Sequence, residues 1–289
     1  MDNVKKLQDK VVIITGSSRG MGRASALLFA EQGAKVVVNY FGNKAAADEV
    51  VKKIEELGSE AIAIQADIGN TADHAKLIDG CIERFGKLDI LYHNAAVHYV
   101  APSLDDVTEE VWDMTYNQIA KGPFFLTKLA IPHLLKNEGA NIIFTTTSSS
   151  ATATPTDPHY MTAKNAVDLM YRIFAGYLSP EIRVNCIVPG FVKTDMFMHH
   201  SPEMWETLGS MTPMNRMATT RDIANAALFL ASSDASYLTG AHISVDGGRS
   251  SAVPRRAIAG LVGTMKAGTG TYDKSAYGAD NIKDVDEPV

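Results

Sequence analysis

Short apolar runs alternate with longer amphipathic stretches along most of this chain. An apolar run such as 11–14 has no polar alternation, which is typical of parallel strands buried on both faces. The runs predict strands at 11–15, 35–39, 61–65, 88–92, 141–146, 183–188 and 242–245. Helical periodicity predicts helices at about 21–32, 44–57, 71–85, 108–136, 158–178 and 220–231. Because strands alternate with helices of this length, we expect an α/β fold with one doubly wound parallel sheet and right-handed connections.

The alternation predicts a single domain over residues 1–250, followed by a C-terminal extension at 251–289. Within the extension, 257–262 is apolar and the remainder is mostly polar and rich in glycine. Such a composition is typical of a disordered tail. The alternative is an arm that lies on a neighbouring subunit or closes a substrate pocket, and the apolar stretch favours it for the first half only.

The turn after the first strand carries three glycines, Gly16, Gly20 and Gly22, before a helical pattern begins. Glycine lets the backbone turn tightly and approach a ligand closely, and the N-terminus of the following helix favours an anion. In a doubly wound sheet, ligands bind beyond the carboxyl ends of the strands. The turn therefore predicts a cradle for the phosphates of a dinucleotide.

A second group of candidate residues lies on the predicted helix 158–178. Tyr160 and Lys164 are one helical turn apart and share a face. A neighbouring positive charge lowers the pKa of a phenol, which suits a group that exchanges a proton during hydride transfer. The preceding strand ends in hydroxyl residues at 145–150, any of which could hold a substrate oxygen.

Taken in order, these motifs resemble the short-chain dehydrogenase/reductase family over residues 7–250. The matching pieces are Thr15-Gly-x3-Gly-x-Gly22, Asp67, Asn94-Ala95-Ala96, Tyr160-x3-Lys164, Pro189-Gly190 with Thr194, and Val245-Asp246-Gly247-Gly248. The resemblance implies a Rossmann fold and NAD(P)-dependent interconversion of a secondary alcohol and a ketone. It also implies that Tyr160 is the general acid or base and that Lys164 activates it.

The resemblance further implies a set of cofactor contacts. Asp67 is expected to bind the adenine amino group, Asn94 and Ala96 to line the adenosine side, and Thr194 to hold the nicotinamide carboxamide. The full set is Gly16, Ser18, Arg19, Gly20, Met21, Gly22, Asn39, Tyr40, Asp67, Ile68, Asn94, Ala95, Ala96, Tyr160, Lys164, Pro189, Gly190, Val192 and Thr194.

The end of the second strand bears on the choice of cofactor. A carboxylate there would bind the ribose hydroxyls of NAD and repel a 2′-phosphate, but this chain has Asn39 and Tyr40 instead. Arg19 in the glycine turn offers a cation to that phosphate. The pattern favours NADP(H) over NAD(H). The alternative is that Arg19 is only a solvated loop residue and that Asn39 still serves the ribose.

Two positions depart from the family pattern. Counting back from Tyr160 at the family's usual spacing lands on Thr147 rather than a serine, and Ser148 follows it. Both are candidates for the catalytic hydroxyl, with Thr147 preferred. Ile119 stands where the family commonly has an asparagine that holds a water molecule. A reductase-like protein with lost or repurposed activity is therefore an alternative.

Methionine and aromatic residues gather in 191–217, the segment expected to form a lid over the substrate. Candidate substrate contacts are His98, Phe191, Met196, Met198 and Trp205. An adaptable apolar wall of this kind predicts a bulky apolar substrate, such as a steroid, a terpenoid or a polycyclic aromatic compound. The same residues could instead pack the lid or a subunit contact, and a β-ketoacyl reductase would share every cofactor motif.

Composition narrows the class of protein further. The 289 residues carry a formal net charge of −6, which argues against nucleic-acid binding. Neither a signal segment nor a run long enough to span a membrane is evident. Cys81 and Cys186 lack metal-ligand spacing, so we expect no metal site. We expect a cytoplasmic enzyme that acts on a small apolar molecule and assembles as a homotetramer or homodimer.

Overall fold

Seven parallel strands form one sheet in a computed structural model that describes residues 5–101, 103–149, 157–194 and 201–252. The strands are β1 (Val11–Ile14), β2 (Lys35–Tyr40), β3 (Ala61–Gln65), β4 (Ile90–His93), β5 (Asn141–Thr145), β6 (Arg183–Pro189) and β7 (His242–Val245). Their order is β3-β2-β1-β4-β5-β6-β7. This confirms the predicted doubly wound sheet and places its switch point between β1 and β4, where such folds bind ligands.

Helices cover both faces of the sheet. They are α1 (Gly20–Glu31), α2 (Lys44–Glu56), α3 (His74–Phe85), α4 (Glu109–Tyr116), α5 (Gly122–Leu134), α6 (Pro158–Leu178), α7 (Pro202–Ser210) and α8 (Thr220–Ala231). The pattern predicted one helix over 108–136, but a π-helical turn at Asn117–Lys121 separates α4 from α5. After this turn, the helix passes so close to the chain that a Cβ atom on Gly122 would lie 2.0 Å from the carbonyl oxygen of Ile68. The short helix α7 falls within the segment predicted to be a lid.

The core consists of two apolar layers, one on each side of the sheet. Ile13 packs in the layer beneath α3, α5 and α6, and its neighbour Ile14 packs in the layer beneath α1, α2 and α8. Successive side chains of a strand point to opposite faces, so the strands β1 to β6 supply apolar residues to both layers. That arrangement explains why the strands read as unbroken apolar runs in the sequence.

Residues 1–252 form one compact unit, and the extension beyond it, 253–289, lies outside the described residues. Within the described ranges, no helix is long and apolar enough to cross a membrane. The same ranges contain no cluster of side chains able to hold a metal ion. Cys81 and Cys186 are buried thiols, and burial raises the pKa of each to about 12.

Candidate active site

The glycine turn between β1 and α1 forms a tight cradle at the switch point. Gly16 and Gly20 have φ values of +62° and +56°, in the left-handed region that favours glycine. A Cβ atom on Gly22 would lie 2.5 Å from the carbonyl oxygen of Gly16 and 2.6 Å from Nδ2 of Asn94. The turn therefore leaves no room for a side chain, and α1 begins directly at Gly20.

Buried polar side chains hold this turn from behind. Asn39 accepts a hydrogen bond from the Gly16 amide at 2.9 Å and donates one to the carbonyl of Ala66 at 3.0 Å. It is 1% exposed, and Tyr40 beside it is also buried. The side chain of Asn39 thus supports the cradle, and its contact with the cofactor stays a prediction. Arg19, in contrast, extends into solvent from the same turn.

A second set of bonds joins the ends of β1 and β4. The hydroxyl of Thr15 accepts hydrogen bonds from the amides of Asn94 and Ala95, both at 3.0 Å. Asn94 in turn donates its Nδ2 to the carbonyl of Thr15 at 3.0 Å, while its Oδ1 is buried without a protein partner among the described residues. An orphaned acceptor beside a glycine cradle fits a ligand that brings hydroxyl donors and phosphates, as a dinucleotide does.

Other predicted cofactor contacts lie at the same edge of the sheet. Thr194, which follows β6, lies against the turn, because a Cβ atom on Gly20 would be 3.7 Å from its methyl group. Asp67, after β3, accepts a hydrogen bond from the Gly69 amide at 2.9 Å. The segments after β1 and β6 are therefore in contact at this edge, and the role of Asp67 toward the cofactor stays a prediction.

Tyr160 and Lys164 lie on the first turns of α6. Lys164 is 3% exposed, donates its ammonium to the carbonyl of Thr145 at 2.9 Å and lies 5.7 Å from the centre of the Tyr160 ring. Burial lowers the pKa of Lys164 to about 8. Burial also raises the pKa of the Tyr160 phenol to about 12, and the charge of Asp157 adds to that shift. The sequence argument expected Lys164 to lower the pKa of the phenol, but the cost of burying a phenolate is larger.

An imidazole and a carboxylate flank the phenol. The ring of His98 lies 4.8 Å from that of Tyr160, centre to centre, and its Nε2 is 3.1 Å from Oδ2 of Asp157. The other oxygen of Asp157 accepts a hydrogen bond from the Ala101 amide at 2.9 Å. His98 was predicted as a substrate contact, and the structure brings it to Tyr160. Sequence reasoning missed Asp157, although its position directly before Pro158 at the helix start is a detectable signal.

The alternation of β5 decides which hydroxyl faces α6. Phe144 packs in the layer with α6, whereas the hydroxyl of Thr145 reaches the Tyr92 phenol in the opposite layer at 3.5 Å. Thr146 returns to the side of α6, where its hydroxyl lies 3.4 Å from Sγ of Cys186. The ladder with β6 continues, because Thr146 donates its amide to Ile187 at 3.0 Å and Ser148 donates to Pro189 at 2.9 Å.

Thr146 therefore lies on the side of α6 with Phe144, whereas Thr147 and Ser148 lie past the end of β5, where strand alternation no longer fixes the direction of a side chain. The hydroxyl of Thr147 accepts a hydrogen bond from the Ser149 amide at 3.3 Å. Thr146 is thus a third candidate for the catalytic hydroxyl. Thr147 and Ser148, which were found by counting back from Tyr160, stay predictions beside it.

Ile119 lies in the π-helical turn and is buried in the apolar layer beneath α6. Its neighbour Gln118 is tied to the chain after β3, accepting a hydrogen bond from the Gly69 amide at 2.7 Å. The place expected for an asparagine and its water molecule is therefore apolar.

Phe191, a predicted substrate contact, follows β6 and lies beneath the guanidinium of Arg249, 4.4 Å from Cζ to the ring centre. Trp205 on α7 lies 5.4 Å from the ammonium of Lys193. Met196 and Met198 lie outside the described residues. In the described part of the lid segment, Met204, Met211 and Met214 are exposed, whereas Met217 belongs to the core.

Comparison with known proteins agrees with this geometry. The family model described as enoyl-(acyl carrier protein) reductase matches residues 16–250. The chain is 37% identical over 257 residues to a versicolorin reductase of Emericella nidulans, covering 84% of this chain and 96% of that protein. It is 36% identical over 258 residues to a probable tetrahydroxynaphthalene reductase of Zymoseptoria tritici, covering 85% of this chain and 96% of that protein.

Solved structures give the same result. The angucycline C-6 ketoreductase LanV with bound NADP superimposes with a TM-score of 0.79 at 33% identity, covering 85% of this chain and 97% of that one. The reductase LugOII, which catalyses keto-reduction at C1 during lugdunomycin biosynthesis, superimposes with a TM-score of 0.80 at 35% identity, covering 85% of this chain and 99% of that one. The family match, the parallel sheet and the dinucleotide cradle together show that this chain belongs to the short-chain dehydrogenase/reductase family and is an NAD(P)-dependent oxidoreductase of the ketoreductase type.

Proposed function

We propose that this protein uses NADPH to reduce the ketone of a bulky, polycyclic aromatic substrate to a secondary alcohol. The observation that carries the proposal is the position of Tyr160 on α6, where its ring centre lies 5.7 Å from the ammonium of Lys164 and its phenol is protonated at neutral pH, as that of an ordinary tyrosine is. A protonated phenol is the form needed to donate a proton to a ketone oxygen. The versicolorin, tetrahydroxynaphthalene and angucycline reductases among the relatives support an aromatic substrate over a steroid.

Each residue of the site has a separate role in the proposed reaction. Gly16, Gly20 and Gly22 would hold the phosphates of the dinucleotide and Thr194 its carboxamide, and the bound cofactor would supply the hydride that the carbonyl carbon needs. Tyr160 donates its hydroxyl proton to the carbonyl oxygen, which becomes the alcohol. The ammonium of Lys164 stabilises the phenolate left on Tyr160, and the Thr146 hydroxyl holds the oxygen as its negative charge develops.

One observation favours a second candidate. Because Ile119 puts an apolar side chain where a water relay is expected, return of a proton to Tyr160 needs another route. If the chain lacks one, the protein binds cofactor and ligand but turns over slowly or not at all. Retention of both Tyr160 and Lys164 supports the active reductase over this alternative.

The substrate class can be tested by following NADPH absorbance with ketones of graded size. We expect 1-tetralone and larger fused-ring ketones to be reduced with a higher kcat/KM than cyclohexanone or an acetoacetyl thioester. Tyr160→Phe should lower kcat by about 10²–10⁴-fold, because it removes the donated proton. A preference for the thioester would instead favour a β-ketoacyl reductase, and Tyr160→Phe activity near that of the wild type would contradict the mechanism.

The cofactor preference can be tested at Arg19. We expect Arg19→Ala to raise the KM for NADPH about tenfold or more, since a hydrogen bond to a charged group contributes about 1.5–3 kcal/mol. The KM for NADH, which lacks the 2′-phosphate, should change little. Arg23→Ala is the matched control, because Arg23 lies one turn along α1 and pairs with Glu49. Equal effects of Arg19→Ala on both cofactors would refute the role of Arg19.

The catalytic hydroxyl can be identified by removing each candidate. Thr146→Val should lower kcat by about 10²–10³-fold, the usual effect of losing one donor to a developing oxyanion. Thr146→Ser should restore most of the rate. Thr147→Val and Ser148→Ala should have smaller effects on kcat, and a larger effect of Thr147→Val would return the role to the residue found by counting.

The charge of Asp157 predicts a shift in pH dependence. In the reverse reaction, Tyr160 must be a phenolate to accept the alcohol proton, so the rate rises as pH passes the pKa of the phenol. Asp157 raises that pKa, and hence Asp157→Asn should move the pH dependence of alcohol oxidation to lower pH. His98→Gln keeps the carboxylate and a donor for it, and should not cause this shift. An unchanged profile in Asp157→Asn would show that the carboxylate does not act on Tyr160.

A further inference from the structure

Arg249 joins the ends of two strands at the edge of the sheet that carries Tyr160. It follows the two glycines after β7, and its Nη1 donates hydrogen bonds to the hydroxyls of Ser148 at 3.2 Å and Ser149 at 3.3 Å. Both serines follow β5. Its guanidinium also covers the ring of Phe191, which follows β6. These contacts hold the cation in one place rather than leaving it mobile in solvent.

The charge of Arg249 has no counter-ion in the described part of the chain, where its contacts are the two serines and the aromatic ring. Asp246 is the acid that acts on it electrostatically, but that carboxylate is turned to its own loop. It accepts hydrogen bonds from the amides of Gly248 at 3.0 Å and Ser250 at 2.8 Å. Partial burial lowers the pKa of the Arg249 guanidinium, because removing a charged group from water is unfavourable.

Nε and Nη2 of Arg249 have no protein acceptor in the described ranges, so they can donate to a ligand. A planar guanidinium on an aromatic ring presents these donors in a fixed direction. Ser148 lies two residues beyond Thr146 along the chain that leaves β5, so Arg249 sits outward from the candidate catalytic hydroxyl. A substrate whose ketone meets Thr146 and Tyr160 would therefore reach Arg249 with a more distant part of its ring system.

We propose that Arg249, with Ser148 and Ser149, forms a subsite for an ionised phenol oxygen on the aromatic ketone. This inference rests on the proposed function, because it names a feature of the same substrate. A phenolate supplies the missing negative charge, and its ring can pack against Phe191. A phenol conjugated with the ketone is more acidic than a simple phenol and ionises near neutral pH, so the subsite distinguishes hydroxylated aromatic ketones from their parent compounds.

The test compares 1-tetralone with 6-hydroxy-1-tetralone, using the ratio of kcat/KM for the hydroxylated ketone to that for the parent. We expect Arg249→Gln to lower this ratio about tenfold or more, the value of one hydrogen bond to a charged group. Arg249→Lys should retain part of the preference for the hydroxylated ketone, because lysine keeps the positive charge. Arg216→Gln is the control, since Arg216 pairs with Asp222 and should leave the ratio unchanged.

A second measurement needs no variant. In the wild-type enzyme, the KM for the hydroxylated ketone should fall as pH rises through the pKa of its phenol, measured on the ketone alone, and the KM for the parent should not follow. The subsite would be overturned if Arg249→Gln left the ratio unchanged, or if the KM for the hydroxylated ketone did not change as its phenol ionises. Reduction of the parent ketone would still support the proposed function in either case.

If the wild type reduces neither ketone, the proposed function fails, and equilibrium dialysis decides the subsite separately. The hydroxylated ketone should then still bind the wild type with NADP⁺ present about tenfold more tightly than Arg249→Gln does. Equal binding to both proteins would overturn the inference.

Discussion

The junction between the turn after β1 and the chain after β4 determines where the active site lies. Thr15 accepts two amide hydrogen bonds from that chain, and Asn94 returns one to Thr15. Gly22 then passes so close that any side chain would collide with both segments. Because parallel strands leave these backbone groups at one edge of the sheet, the junction orients the N-terminus of α1 toward the space where a dinucleotide binds.

Burial tunes the chemistry at this edge. Lys164 keeps its charge next to a carbonyl inside an apolar layer, and Tyr160 keeps its proton because a phenolate there would be poorly solvated. The pair of His98 and Asp157 adds a polar group on the far side of the phenol. Desolvation and three nearby polar groups thus act together on the Tyr160 phenol, and a motif alone does not describe their balance.

The layered fold could be predicted from the sequence because it follows from one simple pattern of apolar residues. A strand buried on both faces must be apolar throughout, and each predicted strand was found in the sheet. The interrupted helix was harder, because helical periodicity over 108–136 does not reveal a π-helical turn. That turn occurs where Gly122 meets the backbone of Ile68, a contact between distant parts of the chain.

By itself, the sequence determined the fold class, the glycine cradle and the pairing of Tyr160 with Lys164, because each depends on short-range spacing along one strand or helix. Tertiary structure alone decided that Asn39 supports the cradle from behind and that Thr146 shares the face of α6. It also decided that Asp157 lies beside His98 and that Arg249 bonds the serines after β5. These side chains act on groups brought close by the sheet rather than by the chain, so their partners have no fixed spacing in the sequence.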